Sequence, residues 1–544
     1  MINIANYLRP QNIEKIGYNF LFVIIFAIAV FLPDFVLKTI FDLPIYFESL
    51  FFGGVLLFGF LLSLAGSFVT FLLIIIIFLM QLIQLNYLSY FGTPLEASNL
   101  MNITRETKDI FDVSYLRHTW FNTPLLLLLY GLCIYVFKKY QMTKIKWIWL
   151  VVLYMALHKP YRALSHSKGI WYFQPSITRP SLRNSISTFS YFFFRYLPDG
   201  YQTLSVEYKP YTVAPSEKSE TENILLIFGE SLYAPHLQIY GYNRETFPLM
   251  AQRIKNNSDW KISLGISGGI ATATSSLLFF NGVREPANMN EVNAKTANLF
   301  RLAKQAGFKT YYFSNQESRL TMSYGMKNLD KVVTNDMRLL FFSRYHDEGL
   351  AKLLHEVDFS KGKNFVVLHM RSPHSPFENR YKGREDEFEK FKPAAESKDK
   401  FEYYQNTYDN ALLYTDMVIN KMVEEFENLN GDKKHSIYIT ADHGELFNYD
   451  GMYGHNNLVI EQAKVPFFMK KKNSEDLPSV LSYIQIGKII AGDFGFNIIN
   501  PNEEDNVFYI HGNNIDFPYD YIKYRIDDNG EITQIEKNNT TALQ

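Results

Sequence analysis

Three apolar runs in the second half of the chain end on residues able to bind a metal. NILLIFGES carries Glu230 just past its run, SIYITADHGE carries Asp442 and His443, and NFVVLHMRSPH carries His369, with His374 a few residues further on. Carboxylate oxygens and imidazole nitrogens arriving together form a ligand set suited to zinc or manganese. Taken singly each is weak, since an acid after a strand commonly caps a helix and a loop histidine is commonly just exposed. A source of nucleophiles lies in GISGGIATATSSLLFF, residues 265–280. There, small residues lead through a hydroxyl-rich stretch into an apolar helical run. A turn of that kind points backbone N–H groups at an anion, and the start of the helix favours phosphate. Thr272, Thr274, Ser275 and Ser276 all qualify by type, and the residue types alone do not choose among them.

The elements that must position these groups follow from periodicity. NILLIF, KISLGI, TYYFS, NFVVLHM and SIYIT read as strands. ANLFRLAKQAGF and YDNALLYTDMVINKMVEEFENL read as helices, the second with apolar residues at three- and four-residue spacing. Alternation of this sort implies an α/β domain with a central, mostly parallel sheet, whose ligands bind beyond the carboxyl ends of the strands. Every metal-ligating candidate above falls there.

The first part of the chain is of another kind. Apolar runs cover Ile16–Leu32, Leu50–Ala65, Phe68–Leu85, Trp120–Phe137 and, more weakly, Trp147–Leu157. A spanning helix needs roughly 20 residues to cross about 30 Å of hydrocarbon. The fifth run reaches that only with Ile145, His158 and snorkelling Lys144 and Lys146. MINIANYLRPQNIEK lacks the features of a cleavable signal, so the first run reads as a retained anchor. Lys138, Lys139, Lys144 and Lys146 crowd the loop between runs four and five without an acid, which makes that loop cytoplasmic. Counting forward puts the C-terminal domain outside. The expected organisation is five membrane helices over 1–157, a linker with interfacial helices over 158–221, and a catalytic domain over 222–544. Within the linker, residues 186–197 read equally as an interfacial helix or as core packing, and Pro215–Glu222 as the last flexible joint.

Composition excludes some functions. The formal net charge is −1 over 544 residues with no basic block, which argues against a nucleic-acid partner. The single cysteine, Cys133, lies in an apolar run, so neither an intrachain disulfide nor a cysteine zinc cluster is available.

GES at 229–231, GGIATATS at 268–275, the histidines at 369 and 374, DHGE at 442–445 and YGH at 453–455 together resemble the phosphoethanolamine transferases. These are membrane enzymes of the alkaline phosphatase and sulfatase superfamily. The resemblance implies five N-terminal spans and a sulfatase-like domain on the periplasmic side of the cell inner membrane. It implies a zinc-dependent enzyme, acting as a monomer, that moves phosphoethanolamine from phosphatidylethanolamine to lipid A, lipooligosaccharide core or another envelope glycan. It makes Thr272 the nucleophile and, with Glu230, Asp442 and His443, a ligand of one tightly bound zinc. His374 and His455 become catalytic residues contacting the phosphoryl group or a second zinc, and His369 and Glu445 substrate-binding residues near the same site. Gly268 and Leu278 stand where the family often has cysteines, and Leu277 where it has proline. FGTPLEASNLMNITRETKD, with Glu96, Asn102 and Thr107, does not match the family's donor-binding loop. These departures bear on the acceptor more than on the chemistry. The rival within the superfamily is a glycerophosphotransferase of the lipoteichoic acid synthase type. A sulfatase is disfavoured because GIATATSS lacks the arginine that follows the modified residue there, and a decayed, non-catalytic domain because the whole ligand set is present.

Overall fold

The computed structural model describes residues 10–91, 94–97, 100, 122–165, 170–199, 207–216, 220–318, 320–321, 324–392, 400–512 and 520–538. Asn102, Thr107 and the charged loop around them lie outside these residues. The chain divides into two compact units, Met1–Thr203 and Leu204–Gln544.

In the first unit each apolar run is a helix: α1 (Pro10–Ile40), α2 (Ser49–Leu64), α3 (Ser67–Phe91), α4 (Asn122–Lys139) and α5 (Ile148–Leu164). Two of them, over Glu14–Ile40 and Phe68–Ser89, are long and apolar enough to cross a membrane by length and composition. α5 runs past the weak fifth run to Leu164, through Pro160. Several polar residues of these helices face inward and pair across them. Asn19 donates to Ser63 Oγ at 2.8 Å, and Gln81 accepts from Tyr130 at 2.6 Å and donates to the Val30 carbonyl at 2.7 Å. Leu50, Phe68, Leu128 and Tyr154 instead stand exposed. Polar groups inside and apolar groups outside is the arrangement helices take in lipid, where only neighbouring helices can satisfy a polar side chain. Helix α6 (Ser181–Tyr191), in the stretch read as linker, is buried along most of its length, with Ser185 bonded to the Met80 carbonyl at 3.0 Å.

The second unit is built on an eight-stranded sheet: β1 (Asn223–Gly229), β2 (Trp260–Ile266), β3 (Phe308–Ser314), β4 (Lys331–Val333), β5 (Lys363–His369), β6 (His435–Ala441), β7 (Lys464–Lys471) and β8 (Val480–Ser482). Their order is β8-β2-β7-β6-β1-β5-β3-β4. All the strands expected from the sequence are present. The sheet is mixed rather than uniformly parallel, because β7 runs antiparallel to both β2 and β6 while the other neighbours are parallel. β1, β5 and β6 are buried on both faces almost throughout, which is why they read as unbroken apolar runs. Their central, parallel placement brings three carboxyl ends side by side. A further sheet, β9 (Val507–His511), β10 (Tyr521–Ile526) and β11 (Ile532–Asn538), closes the chain.

Candidate active site

Glu230 follows β1 directly, and the chain then turns sharply at Ser231, whose φ is +52°. Asp442 and His443 follow β6, the parallel neighbour of β1. All three are buried, and one ligand atom from each lies within 4.8 Å of the others. Asp442 Oδ1 accepts from the Ser231 amide at 2.8 Å and the His443 amide at 2.7 Å. Its Oδ2 has no hydrogen-bond partner among the described residues. His443 donates from Nδ1 to the Gly444 carbonyl at 2.9 Å, and its Nε2, buried 3.4 Å from Asp442 Oδ2 and 3.6 Å from Glu230 Oε1, has no hydrogen-bond partner among the described residues.

These orphaned atoms are the test of whether a metal fits. Burial, and then the charge of Asp442 beside it, hold the Glu230 carboxyl well above the usual carboxylate range. Burial pushes Asp442 up as well, but His443, the Ser231 amide and His369 outweigh it and hold Asp442 low. Two buried carboxylates this close repel unless a cation stands between them. A divalent ion would meet Asp442 Oδ2, His443 Nε2 and a Glu230 oxygen without any of them leaving its present partners. The donor set of two carboxylates and one imidazole suits zinc.

Thr272 completes the group. The helix α7 (Thr272–Asn281) begins with it, and its Oγ1 donates to Glu230 at 3.0 and 3.2 Å. The other hydroxyls of the segment have other partners. Ser275 donates to the Asp442 carbonyl and Ser276 to the Thr272 carbonyl. Thr274 is 4% exposed and packs toward Gly269, where an added Cβ would lie 3.3 Å from its methyl and 3.0 Å from the Ser275 amide. Only glycine lets the loop approach the helix so closely. Ala271 caps α7 without a side-chain bond, so the first N–H groups remain for an anion.

Around this cradle stand the remaining histidines. His374 donates from Nδ1 to the Ser375 carbonyl and lies 5.4 Å, ring to ring, from His455. His455 in turn lies 5.1 Å from His443. Burial and then the nearby charges of His455, Arg371 and Arg380 lower the His374 pKa. Burial also opposes the charged form of His455, but Glu445, bonded to its Nδ1 at 3.2 Å, prevails and raises it. Both rings keep Nε2 for a phosphoryl oxygen or an ion. Glu445 is buried between His455 and the Tyr404 hydroxyl, the latter at 2.6 Å. His369 is buried at the end of β5, its Nδ1 2.6 Å from the Tyr312 hydroxyl, and burial lowers its pKa to about 4. Glu445 bonds to His455, and His369 lies in the field of Asp442.

Several supporting residues escaped the sequence reading. Gln316, after β3, donates to Glu230 Oε2 at 2.5 Å and to the Met370 carbonyl at 3.0 Å. Asp347 binds the amides of Arg371 and Ser372 at 3.0 and 2.8 Å. His511, at the end of β9, pins the nucleophile loop through its amide and Nδ1, both on the Gly268 carbonyl, at 2.9 and 2.8 Å. Tyr483 donates to the Asp442 carbonyl at 3.0 Å. Gln316 alone carried a signal, as a polar residue just past a strand.

Residues 222–476 match the Sulfatase family model. The chain is also similar to phosphoethanolamine transferases. It is 26% identical over 242 residues to the phosphoethanolamine transferase EptC of Escherichia coli, covering 42% of this chain and 40% of that protein. It is likewise 26% identical over 302 residues to the Escherichia coli Kdo(2)-lipid A phosphoethanolamine 7''-transferase, covering 52% and 50%. The chain thus spans about half or less of the length of these curated relatives. Among solved structures, the integral membrane lipooligosaccharide phosphoethanolamine transferase A of Neisseria meningitidis aligns with 88% of this chain and 95% of its own, at 18% identity and a TM-score of 0.45.

Proposed function

We propose that this protein is a zinc-dependent transferase that moves phosphoethanolamine from phosphatidylethanolamine to lipid A, lipooligosaccharide core or a related envelope glycan. The observation that carries the reading is the Thr272 hydroxyl resting on Glu230 in a buried Glu–Asp–His cradle, within a domain similar to phosphoethanolamine transferases. Glu230, Asp442, His443 and Thr272 would hold one zinc, and His374 with His455 offers a place for a second. Bound there, zinc supplies a Lewis acid that lowers the pKa of the nucleophile and offsets charge on the phosphoryl oxygens.

The chain's own residues do the rest. Thr272 Oγ1 attacks phosphorus as its proton passes along its hydrogen bond to Glu230; the bond to phosphorus forms as the bond to the glycerol oxygen breaks, and diacylglycerol leaves with a proton from a histidine. The free N–H groups of α7, with His374 and His455, stabilise the phosphoryl oxygens. A histidine at the leaving oxygen delivers that proton and takes one from the acceptor oxygen in the second displacement, and the proton held at Glu230 returns to restore the Thr272 hydroxyl. Glu445 and Tyr404 orient His455, and Tyr312 orients His369, whose charge-bearing neighbour is Asp442.

The helical unit is proposed to cross the inner membrane five times and to leave the catalytic domain in the periplasm. A bilayer anchor holds the site at the surface where its donor is confined. Reporters fused after Gln544 and near Tyr140 test the topology; activity of the first in the cytoplasm would remove the fifth span. The chemistry is tested by incubating the purified enzyme with phosphatidylethanolamine and mapping the adduct by mass. Phosphoethanolamine on Thr272 is expected, whereas glycerophosphate accumulating there from phosphatidylglycerol would assign the lipoteichoic acid synthase type of reaction.

A further inference from the structure

Two cations stand on the loop between β5 and the rim of the site without a hydrogen-bond or ion-pair partner among the described residues. Arg371 lies two residues past β5, and Arg380 ends the short turn Phe377–Arg380. The backbone that carries them is firmly held. Asp347 binds the amides of Arg371 and Ser372, the Ser372 carbonyl accepts the Glu230 amide at 3.4 Å, and the Arg371 carbonyl accepts the His374 amide at 3.0 Å. Phe377 packs on the rings of Tyr404 and Tyr408 at 4.9 and 5.0 Å, and Tyr404 is the residue bonded to Glu445. The loop is therefore fastened to the metal cradle on one side and to the histidine rim on the other.

Five other half-buried or buried arginines of this domain have a carboxylate: Arg244 has Asp409, Arg253 has Glu427, Arg284 has Glu285, Arg338 has Glu356 and Arg384 has Glu348; half-buried Arg301 donates to the Ala294 and Lys295 carbonyls. Arg371 and Arg380 are half-buried too, yet neither guanidinium has an ion pair or a hydrogen bond among the described residues, and Arg380 Nε is buried without a partner. The acid near them, Asp347, already accepts three N–H groups, one of them from Asn315 Nδ2 at 2.8 Å. Both positive charges are felt at His374, and that of Arg380 at Glu230, so they lie within electrostatic reach of the reacting centre. Desolvating a guanidinium with nothing to bind is unfavourable, and its planar fork matches the oxygens of a phosphate.

We propose that Arg371 and Arg380 form an anion subsite beside the cradle, which binds a phosphate group of a substrate through oxygens not held by the metal. The subsite stands apart from the transferase reading; only the source of its phosphate, the acceptor or the donor phosphodiester, rests on that reading.

Calorimetric titration of inorganic phosphate into the zinc-loaded full-length protein tests it. Arg371→Gln and Arg380→Gln should each weaken phosphate binding by about tenfold, the scale of a charge-assisted hydrogen bond. Lys382→Gln, an exposed neighbour, should not. Arg380→Lys keeps the charge without the fork and should fall between, which preserves the test if the glutamine variant fails to fold. Wild-type affinity for phosphate in both glutamine variants, with zinc retained, overturns the subsite. The source follows from two kinetic arms. A rise of about tenfold in KM for a phosphorylated glycolipid, absent for its dephosphorylated form, assigns the acceptor. Slower adduct formation from phosphatidylethanolamine assigns the donor. If wild type forms no adduct at all, the transferase reading fails while the calorimetry still decides the subsite.

Discussion

The cradle and the rim of this site are held in different ways. Glu230, Asp442 and His443 sit at the ends of two adjacent parallel strands, at 1% exposure or less. The backbone there is fixed several times over: Ser267, Ser275 and Tyr483 all donate to the Asp442 carbonyl. His374 and His455 are half-buried, one on a loop and the other just past the hairpin Leu446–Tyr449/Met452–Gly454. Each has one hydrogen bond from its ring, to the Ser375 carbonyl and to Glu445. A position determined by the sheet cannot yield without losing its function, whereas a position determined by one contact can. Changes in the cradle should therefore abolish transfer, and changes in the rim should grade it.

The largest effect is expected at Thr272. Thr272→Ala removes the only oxygen that α7 presents to Glu230, so transfer should fall to background and no adduct should appear on peptide mapping. Thr272→Ser keeps the oxygen without the methyl that fixes its rotamer and should retain part of the rate. Next come Asp442→Ala and His443→Ala, which remove a ligand and its charge together. Both should lose zinc, measured by metal analysis, along with activity. Full zinc and full turnover in Asp442→Ala would erase the distinction between cradle and rim.

The cradle was legible in the sequence for the same reason that it is rigid. Buried parallel strands are unbroken apolar runs, so β1, β5 and β6 announce themselves, and the polar residues at or just past their ends, His369, Glu230 and Asp442, lie where the sheet must deliver them. The antiparallel course of β7 was not legible, because KVPFFMKK has the composition of a strand of either direction. Residues that reach the site across long sequence distances were hidden as well. Asp347 serves a loop 24 residues ahead of it, and His511 pins a glycine 243 residues behind it. Nothing local marks either one. The choice among four hydroxyls in residues 272–276 stayed open from residue types, since the phase of α7 that separates them depends on where the helix starts.

In the rim, His374→Ala and His455→Ala should slow turnover by about a hundredfold, the scale of a lost general acid or phosphoryl contact, while zinc in the cradle is retained. Loss of that zinc in either variant would make the rim part of the cradle. A smaller effect is expected from Gln316→Leu, which takes a donor from Glu230 without touching a ligand. Outer partners of metal ligands matter at about the tenfold level in affinity, so competition with a chelator should show weaker zinc binding. An unchanged affinity would mean that Thr272 and the Ser231 hydroxyl, which donates to Glu230 Oε1 at 3.2 Å, suffice to orient Glu230.

The smallest effect tests how finely the cradle discriminates. Thr272 and Thr274 are two residues apart on α7, and residues so spaced point about 200° away from each other. Thr272 is turned to Glu230. Thr274 is turned inward, 4% exposed, toward the glycine loop. Thr274→Ala should thus cost stability rather than chemistry, about 1 kcal/mol for a buried hydroxyl's hydrogen bond and somewhat more with its methyl. A lower denaturant midpoint with an unchanged slope would report it. The adduct should stay on Thr272, and transfer at a temperature well below unfolding should remain substantial. A well-folded Thr274→Ala that is inactive, or an adduct mapped to Thr274 while Thr272→Ala still turns over, would exchange the roles of the two threonines and leave Glu230, Asp442 and His443 as they are.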